Sequence, residues 1–178
     1  MSLAAIQTKA KAKPSIVIIY GPSGLGKTTL AVGSKNPIVL QTEEGLGILT
    51  NNRDIPHFPL AKDYDTFYGY LKSLVDADEL DYNSLVIDSL DWLEPLIFAK
   101  TCETHKQASI ESFGYGRGYV EALKYWREIL DMVNRLRNEK KMRIVLIAHN
   151  QIKAFHDPST EAYDRHELKL NKHASALC

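Results

Sequence analysis

One stretch of eight residues constrains this chain more than any other. Residues 21–28 match the phosphate-binding pattern G-x-x-x-x-G-K-[ST] at every fixed position. An apolar, β-branched run over residues 15–20 precedes the motif and predicts a buried strand, and residues 28–32 suit the start of a helix. Strand, glycine-rich loop and helix in this order predict a binding site for a nucleoside triphosphate. The residues expected to bind the nucleotide are Gly21, Pro22, Ser23, Gly24, Leu25, Gly26, Lys27, Thr28 and Thr29.

The chemistry of phosphate binding explains this pattern. Glycines let the backbone curl until several N–H groups point at one spot. The helix that follows adds its positive N-terminal end. We expect Lys27 to reach the β- and γ-phosphates of ATP and the Thr28 hydroxyl to ligate Mg²⁺.

Composition limits the class of protein. The 178 residues suit one domain, and the formal net charge of +0 provides no global field that would attract nucleic acid or a membrane. Any contact with DNA must therefore be local. The two cysteines show neither metal-ligand spacing nor a disulfide framework, which predicts a reduced, cytoplasmic protein. No apolar run approaches about 18 residues, the length of a membrane span, so we expect no membrane association.

The chain divides into a short lead-in and one domain. Residues 1–14 are polar and carry three lysines, which predicts a flexible basic lead-in; an arm that touches DNA is the alternative. Residues 15–178 form the predicted ATPase domain. The chain stops at residues 174–178 without a signal that ends a structural element, which suggests truncation at the C-terminus.

Two carboxylates follow the second predicted strand, residues 37–41. Glu43 and Glu44 come at the C-terminal end of this strand, where α/β sheets place ligands. One of them could orient and deprotonate the water that attacks the γ-phosphate; an ordinary acidic loop is the alternative. We favour Glu43, because it comes first after the strand end and neighbouring side chains of an extended chain point opposite ways.

The third predicted strand, residues 84–89, supplies an acidic residue. Asp88 ends an apolar run, as the second half of an NTPase site does, and we expect it to hold Mg²⁺ through water. Many buried strands end in Asp, so this assignment depends on the P-loop that precedes it.

The fourth predicted strand, residues 143–148, is followed by three polar residues. Two of them, His149 and Gln151, are candidates for sensing the γ-phosphate, although a lone histidine is often structural. Beyond them, residues 152–155 and 167–170 alternate like the two strands of a hairpin.

Two helices and one loop complete the prediction. Apolar periodicity predicts helices over residues 66–76, with Asp65 as N-cap, and over residues 118–139. The loop at 113–119 alternates glycine with aromatic residues and arginine, and is predicted to be too flexible for the core. It could stack on bases and touch phosphate, or pack on the next helix. We favour packing for Tyr119 and function for Arg117.

These pieces together resemble the RecA-type ATPases, and most closely the phage-encoded, single-domain RecA-like ATPases of the single-strand annealing group. The P-loop, Thr42-Glu43, the strand ending at Asp88 and the His149-Asn150-Gln151 strand end carry the broader resemblance; the loop at 113–119 and the His149 strand end carry the narrower one. It covers roughly residues 15–173.

The resemblance implies a three-layer α/β P-loop NTPase with a mostly parallel sheet, whose last core strand would lie beyond the end of this chain. The strand at 143–148 is expected between the P-loop strand and the strand at 84–88. The resemblance also implies ATP and Mg²⁺ as ligands, a homo-oligomer and single-stranded DNA as partner. The expected catalytic set is Lys27, Glu43, Glu44, Asp88, His149 and Gln151, with Thr28 and Asp88 as metal ligands.

Three functions remain open from the sequence. The first is an ATPase that acts on single-stranded DNA in recombination or annealing. The second is a small-molecule kinase, against which stands the lack of an evident arginine-rich lid. The third is a module whose bound nucleotide serves assembly and is not hydrolysed. The P-loop fold serves many activities, so the fold alone does not choose among them.

Overall fold

A computed structural model describes residues 12–50, 54–155 and 163–178. Its centre is one sheet in which helices cover both faces. The strands are β1 (Ile16–Gly21), β2 (Pro37–Gln41), β3 (Ser84–Asp88), β4 (Arg143–Phe155) and β5 (Tyr163–Leu168). The helices of the described residues are α1 (Lys27–Val32), α2 (Gly47–Thr50), α3 (Tyr64–Asp76), α4 (Leu90–His105), α5 (Arg117–Glu121), α6 (Leu123–Asn138) and α7 (Lys172–Ser175), with a 3-10 turn at Ile110–Phe113.

The sheet has a parallel core and an antiparallel extension. The first four strands lie in the order β1-β4-β3-β2 and run parallel, and β5 pairs antiparallel with the second half of β4. The predicted place of β4 between β1 and β3 is confirmed, as is the α/β fold with a mostly parallel sheet. Among the described residues, β1 is an edge strand.

Side chains that alternate along the central strands explain the three layers. In β2, Ile38 and Leu40 pack into a large cluster with residues of α3, α4 and α6. Val39 between them packs on the opposite face, with Ala31 and Val32 of α1. β3 and β4 alternate in the same way, because successive side chains of a strand point to opposite faces.

Two helix predictions need correction. The N-cap of α3 is Asp63, not Asp65: the Asp63 carboxylate accepts a hydrogen bond from the Thr66 backbone N–H at 2.7 Å, so the helix begins at Tyr64. The single helix predicted over residues 118–139 is two helices, α5 and α6, which meet at Ala122.

β4 is longer than predicted. The strand continues from Arg143 to Phe155, so His149 and Gln151 lie within it and not beyond its end. The extra residues are held by β5, whose register pairs Asn150 with Leu168. A hairpin is therefore present, but its second strand is Tyr163–Leu168 and not the predicted residues 167–170, and residues 152–155 pair with residues 163–166. The lysines of the predicted basic lead-in at 9 and 11 lie outside the described residues. No helix of the described residues combines the length and apolar character needed to cross a membrane.

The predicted flexible loop at 113–119 is instead folded into the 3-10 turn and the start of α5. Gly118 is buried, and a Cβ atom there would lie 2.3 Å from the Ile110 carbonyl oxygen and 2.9 Å from the Phe113 ring. Only glycine allows this close approach. The Tyr119 ring packs edge-on against Phe98, with 5.3 Å between centroids. Tyr119 is therefore a packing residue, but it packs on the preceding helix α4 and not on the next helix as predicted.

Gly118→Ala is expected to lower the free energy of unfolding by about 1–3 kcal/mol, the usual cost of overpacking a filled site. The matched control is Gly69→Ala in the middle of α3, where a Cβ meets nothing within 4 Å. That change should raise stability by about 0.5–1 kcal/mol, because alanine is the better helix former. Urea unfolding of both variants measures the difference; equal stability of the two would contradict the packing described for Gly118.

Candidate active site

The candidate site lies where the parallel strands end. In the sheet register, Gln41 is paired with Asp88, Asp88 with Ile147, and Gly21 with His149. The residues after β2, the end of β3, His149 of β4 and the loop after β1 therefore meet at one edge. Ligands bind at this edge in open α/β sheets.

The P-loop has the backbone conformation that its glycines permit. Gly24 and Gly26 adopt φ values of 81° and 79°, in the left-handed region that other residues rarely adopt. Gly26 is the N-cap of α1, so the first helical N–H groups are directed at the loop. The Lys27 ammonium donates hydrogen bonds to the carbonyl oxygens of Gly21 at 3.0 Å and Pro22 at 2.8 Å.

Thr28 and Asp88 form the predicted metal-binding pair. The Thr28 hydroxyl donates to Asp88 Oδ2 at 2.7 Å, although the two residues are 60 positions apart in the chain. Asp88 Oδ1 is buried and has no hydrogen-bond partner among the described residues. Burial raises the pKa of Asp88, and the Thr28 hydrogen bond and Lys27 oppose this shift.

The Thr28–Asp88 pair fits Mg²⁺, which prefers few carboxylates and completes its shell with water and phosphate oxygens. An unpartnered, buried carboxylate oxygen next to a hydroxyl is the donor set such an ion requires. The described residues contain no cluster of three or more His, Cys, Asp or Glu that could hold a metal ion without a nucleotide.

Thr42 fixes the end of β2 against the end of β3. Its backbone N–H donates to the Asp88 carbonyl at 2.8 Å. Its hydroxyl donates to the Ser89 carbonyl at 2.7 Å and accepts from the Ser89 N–H at 2.9 Å. Three hydrogen bonds on one buried residue hold the chain immediately before Glu43.

Glu43 and Glu44 have different surroundings. Glu43 is half-buried, and burial, followed by the nearby Asp88 carboxylate, raises its pKa; His149 and Lys27 partly offset the rise. Glu44 is exposed. It lies between two cavities and lines both of them: the cavity at the P-loop and a neighbouring cavity near Gln41. Glu43 therefore has Asp88, His149 and Lys27 among its electrostatic neighbours.

His149 is held by Asp91, a residue of the first turn of α4. The Asp91 carboxylate accepts the His149 backbone N–H at 2.9 Å and lies 3.0 Å from its ring Nδ1. The side chain of Asp91 is only 2% exposed. Burial acts to raise the pKa of Asp91, but the hydrogen bonds from His149 outweigh it and the pKa lies below its usual value.

One cavity of about 610 Å³ brings most of the predicted site together. It is lined by Ser23, Gly24, Gly26, Lys27, Thr28, Thr29, Glu43, Glu44, Gly45, Leu49, Trp92, His149 and Lys169. Asp88 lies beneath it, bonded to Thr28. Gln151 does not line it: this side chain donates to the Leu168 carbonyl at 3.1 Å and borders the next cavity along α4. Direct contact of Gln151 with the γ-phosphate is therefore not part of this arrangement.

Asp91 and four residues that line the cavity, Gly45, Leu49, Trp92 and Lys169, were not predicted from the sequence as site residues. The role of Asp91 depends on a histidine 58 residues later, so no local spacing indicates it. Trp92 is 52% exposed beside it, which is unusual for tryptophan. Lys169 belongs to the stretch predicted as a hairpin strand. Its backbone N–H donates to the His149 carbonyl at 2.9 Å, which brings it to the cavity.

A family model described as an AAA domain matches residues 13–177. The chain belongs to this AAA-domain family of P-loop ATPases. The match covers the P-loop, both candidate carboxylates and His149, and it supports nucleotide binding by this chain. No curated protein matches the chain.

Lys27→Ala is expected to weaken ATP binding at least tenfold, or about 1.4 kcal/mol, while the fold is retained, since Lys27 bonds only to carbonyls of its own loop. Trp92 offers the signal, because it lines the cavity while Trp126 is only 1% exposed. ATP titration followed by tryptophan fluorescence makes the measurement, with Lys35→Ala as a control that removes an exposed cation outside the cavity. Equal affinity in the Lys27 variant and the wild type would refute the assignment.

Proposed function

We propose that this protein is a magnesium-dependent ATP hydrolase in which Glu43 activates the attacking water, and that it acts on single-stranded DNA. The observation that carries the proposal is the convergence of Lys27, Glu43 and the Thr28–Asp88 pair on one cavity. Each has the chemical role that phosphoryl transfer needs: a cation for the phosphates, a base for water and oxygen ligands for a metal.

Binding and positioning of the triphosphate are the work of the P-loop. The N–H groups at the start of α1 and the Lys27 ammonium face the phosphate oxygens, where Lys27 exchanges its two carbonyl partners for phosphate. Thr28 and Asp88 would hold Mg²⁺, and the ion would neutralise negative charge on the phosphates. His149 lines the same cavity, which supports a proposed contact with the terminal phosphate.

The surroundings of the three carboxylates favour Glu43 as the base that activates the attacking water. Asp88 is bonded to Thr28 and assigned to the metal, so it is not free to take a proton from water. Glu44 is exposed at the rim, where its carboxylate stays solvated. The raised pKa of Glu43 makes its carboxylate a stronger base than an exposed glutamate, and a catalytic pKa nearer the working pH improves proton transfer.

The DNA part of the proposal is supported by the turn before α5. Tyr115 is fully exposed at its tip, with φ of 49°, between Gly114 and Gly116. Arg117, two residues later and the first residue of α5, is exposed as well. An exposed aromatic ring and an exposed cation on one turn suit stacking on unpaired bases and contact with phosphate. It is also the kind of local contact that a chain of zero net charge requires. We further propose that the active form is a homo-oligomer, as the resemblance to RecA-type ATPases implies.

Glu43→Gln is expected to retain ATP affinity, because shape and hydrogen-bonding capacity are nearly kept, and to lower turnover by about 10²-fold or more, the scale of a positioned base. Glu44→Gln is the matched control and should be far milder. Phosphate release under saturating ATP and Mg²⁺ measures both. A larger loss in the Glu44 variant would reverse the assignment, and full turnover in both would remove the base from this strand end.

Single-stranded DNA is expected to raise the rate of ATP hydrolysis, and the combined change Tyr115→Ala and Arg117→Ala should abolish the increase but keep the basal rate. Arg127→Ala, which removes an exposed arginine from α6, is the control. The assay compares hydrolysis with single-stranded DNA, with duplex DNA and with none. Phosphate transfer to a nucleoside would favour a kinase instead, and tight ATP binding without turnover would favour an assembly module.

A further inference from the structure

We propose that Asp91 is a positioning residue that fixes the His149 ring with Nδ1 turned away from the nucleotide and Nε2 presented to the terminal phosphate. The inference deepens the proposed ATP hydrolysis and rests on it for the turnover readout. Its structural part concerns only the orientation and tautomer of one imidazole, which can be measured without any turnover.

The contacts of the Asp91 carboxylate carry the inference. Oδ1 accepts the His149 backbone N–H at 2.9 Å and lies 3.2 Å from Nδ1, and Oδ2 lies 3.0 Å from Nδ1. One carboxylate thus holds both the main chain and the ring of His149, across 58 residues of sequence. A ring held at its own backbone and at Nδ1 has little freedom to rotate.

The chemistry of the two groups decides which nitrogen carries the proton. An ionised carboxylate only accepts hydrogen bonds, so a ring nitrogen that faces it must be Nδ1–H. Asp91 is kept ionised, since the hydrogen bonds from His149 hold its pKa below the usual value despite burial. Asp91 also lies in the first turn of α4, where the positive end of the helix dipole stabilises an ionised carboxylate. Nε2, on the far side of the ring, is left for a partner other than Asp91.

The partner available to Nε2 is the nucleotide. His149 lines the P-loop cavity together with Lys27, Thr28 and Glu43, whereas Asp91 borders the cavity behind it. When both nitrogens are protonated, Nε2–H donates to a phosphate oxygen; when only Nδ1 is, Nε2 accepts from a bound water. In either form the ring orientation is set by Asp91, since the carboxylate fixes Nδ1.

The backbone around His149 is tied on its other side as well. Its carbonyl accepts the Lys169 N–H at 2.9 Å, so the main chain of this residue is bound to α4 and to the segment after β5. If the contact between Nε2 and the terminal phosphate is gained or lost, the His149 ring cannot rotate independently of α4 and of the segment after β5. Such rigidity distinguishes a positioned side chain from one that merely borders the cavity.

The first test is the tautomer of His149. Long-range ¹H–¹⁵N spectra of the histidine-labelled full chain distinguish protonated from unprotonated ring nitrogens, and the spectrum of His149→Gln assigns the signal among the six histidines. The wild type is expected to show protonated Nδ1. Asp91→Asn is expected to shift the ring towards the Nε2–H tautomer, because the amide NH₂ donates to Nδ1. An unprotonated Nδ1 in the wild type overturns the proposal without use of any variant, as does an unchanged His149 spectrum in folded Asp91→Asn.

The second test is the coupling of the two residues in catalysis. Asp91→Asn is expected to lower kcat by about 10- to 100-fold, the effect typical of losing the partner that orients a functional imidazole. It should also reduce the preference for ATP over ADP to that of His149→Gln. The double variant should be no worse than His149→Gln, because the two act as a unit. Glu103→Gln, which removes an exposed charge from the same helix, is the control.

The outcomes separate this inference from the proposed function. If Asp91→Asn lowers turnover by the same factor with and without His149, Asp91 does not act through His149 and the proposal is wrong. If the wild type does not hydrolyse ATP, the proposed function fails, while the tautomer and the ATP–ADP preference still decide the role of Asp91.

Discussion

The register between β2 and β3 is the constraint on which the rest of the site depends. Gln41 lies opposite Asp88, and Thr42 then binds the main chain of Asp88 and Ser89 with three hydrogen bonds. A slip of one residue would turn every side chain of the strand to the other face. It would move Glu43 away from the P-loop and exchange Ile38 and Leu40 with Val39 between the clusters on the two faces of the sheet. Because the same pairing fills the core and aims the carboxylate, the stability of the sheet maintains the geometry of the site.

The site concentrates acids that would repel one another in isolation. Asp88 and Asp91 each raise the pKa of Glu43, and Asp91 acts on Asp88 in the same direction. Three groups that bind or attract these carboxylates reduce the repulsion between them: the Lys27 ammonium, the Thr28 hydroxyl and the hydrogen-bond donors of His149. The pKa values of Asp88 and Glu43 are both raised. Asp91 is hydrogen-bonded to His149, and Asp88 is hydrogen-bonded to Thr28 and assigned to the metal, so Glu43 is the acid left for the proposed role of base. This division of roles among nearby carboxylates follows from their hydrogen bonds.

Local patterns were sufficient for the P-loop and for the first three strands, but not for the length of β4 or the bounds of β5. β2 begins and ends at the predicted residues, because a short apolar run after a turn has few alternatives. The pairing of Thr28 with Asp88 followed from the order of the elements. Asp91 could not be assigned in this way, since its role depends on a histidine 58 residues later and on the register of β4. The sequence pattern also could not distinguish Asp63 from Asp65 as N-cap, because both precede the apolar stripe of the helix. The hydrogen bond from the Thr66 N–H to the Asp63 carboxylate identifies Asp63.

The most direct measurement is a crystal structure of the protein with Mg²⁺ and a non-hydrolysable ATP analogue. The proposed mechanism predicts the triphosphate in the P-loop cavity with Lys27 on its phosphates, the metal beside Thr28 and Asp88, and Glu43 within hydrogen-bond reach of a water at the terminal phosphate, at about 2.6–3.2 Å or through one further water. A triphosphate bound outside this cavity, or a Glu43 side chain turned to solvent while another group holds that water, would contradict it.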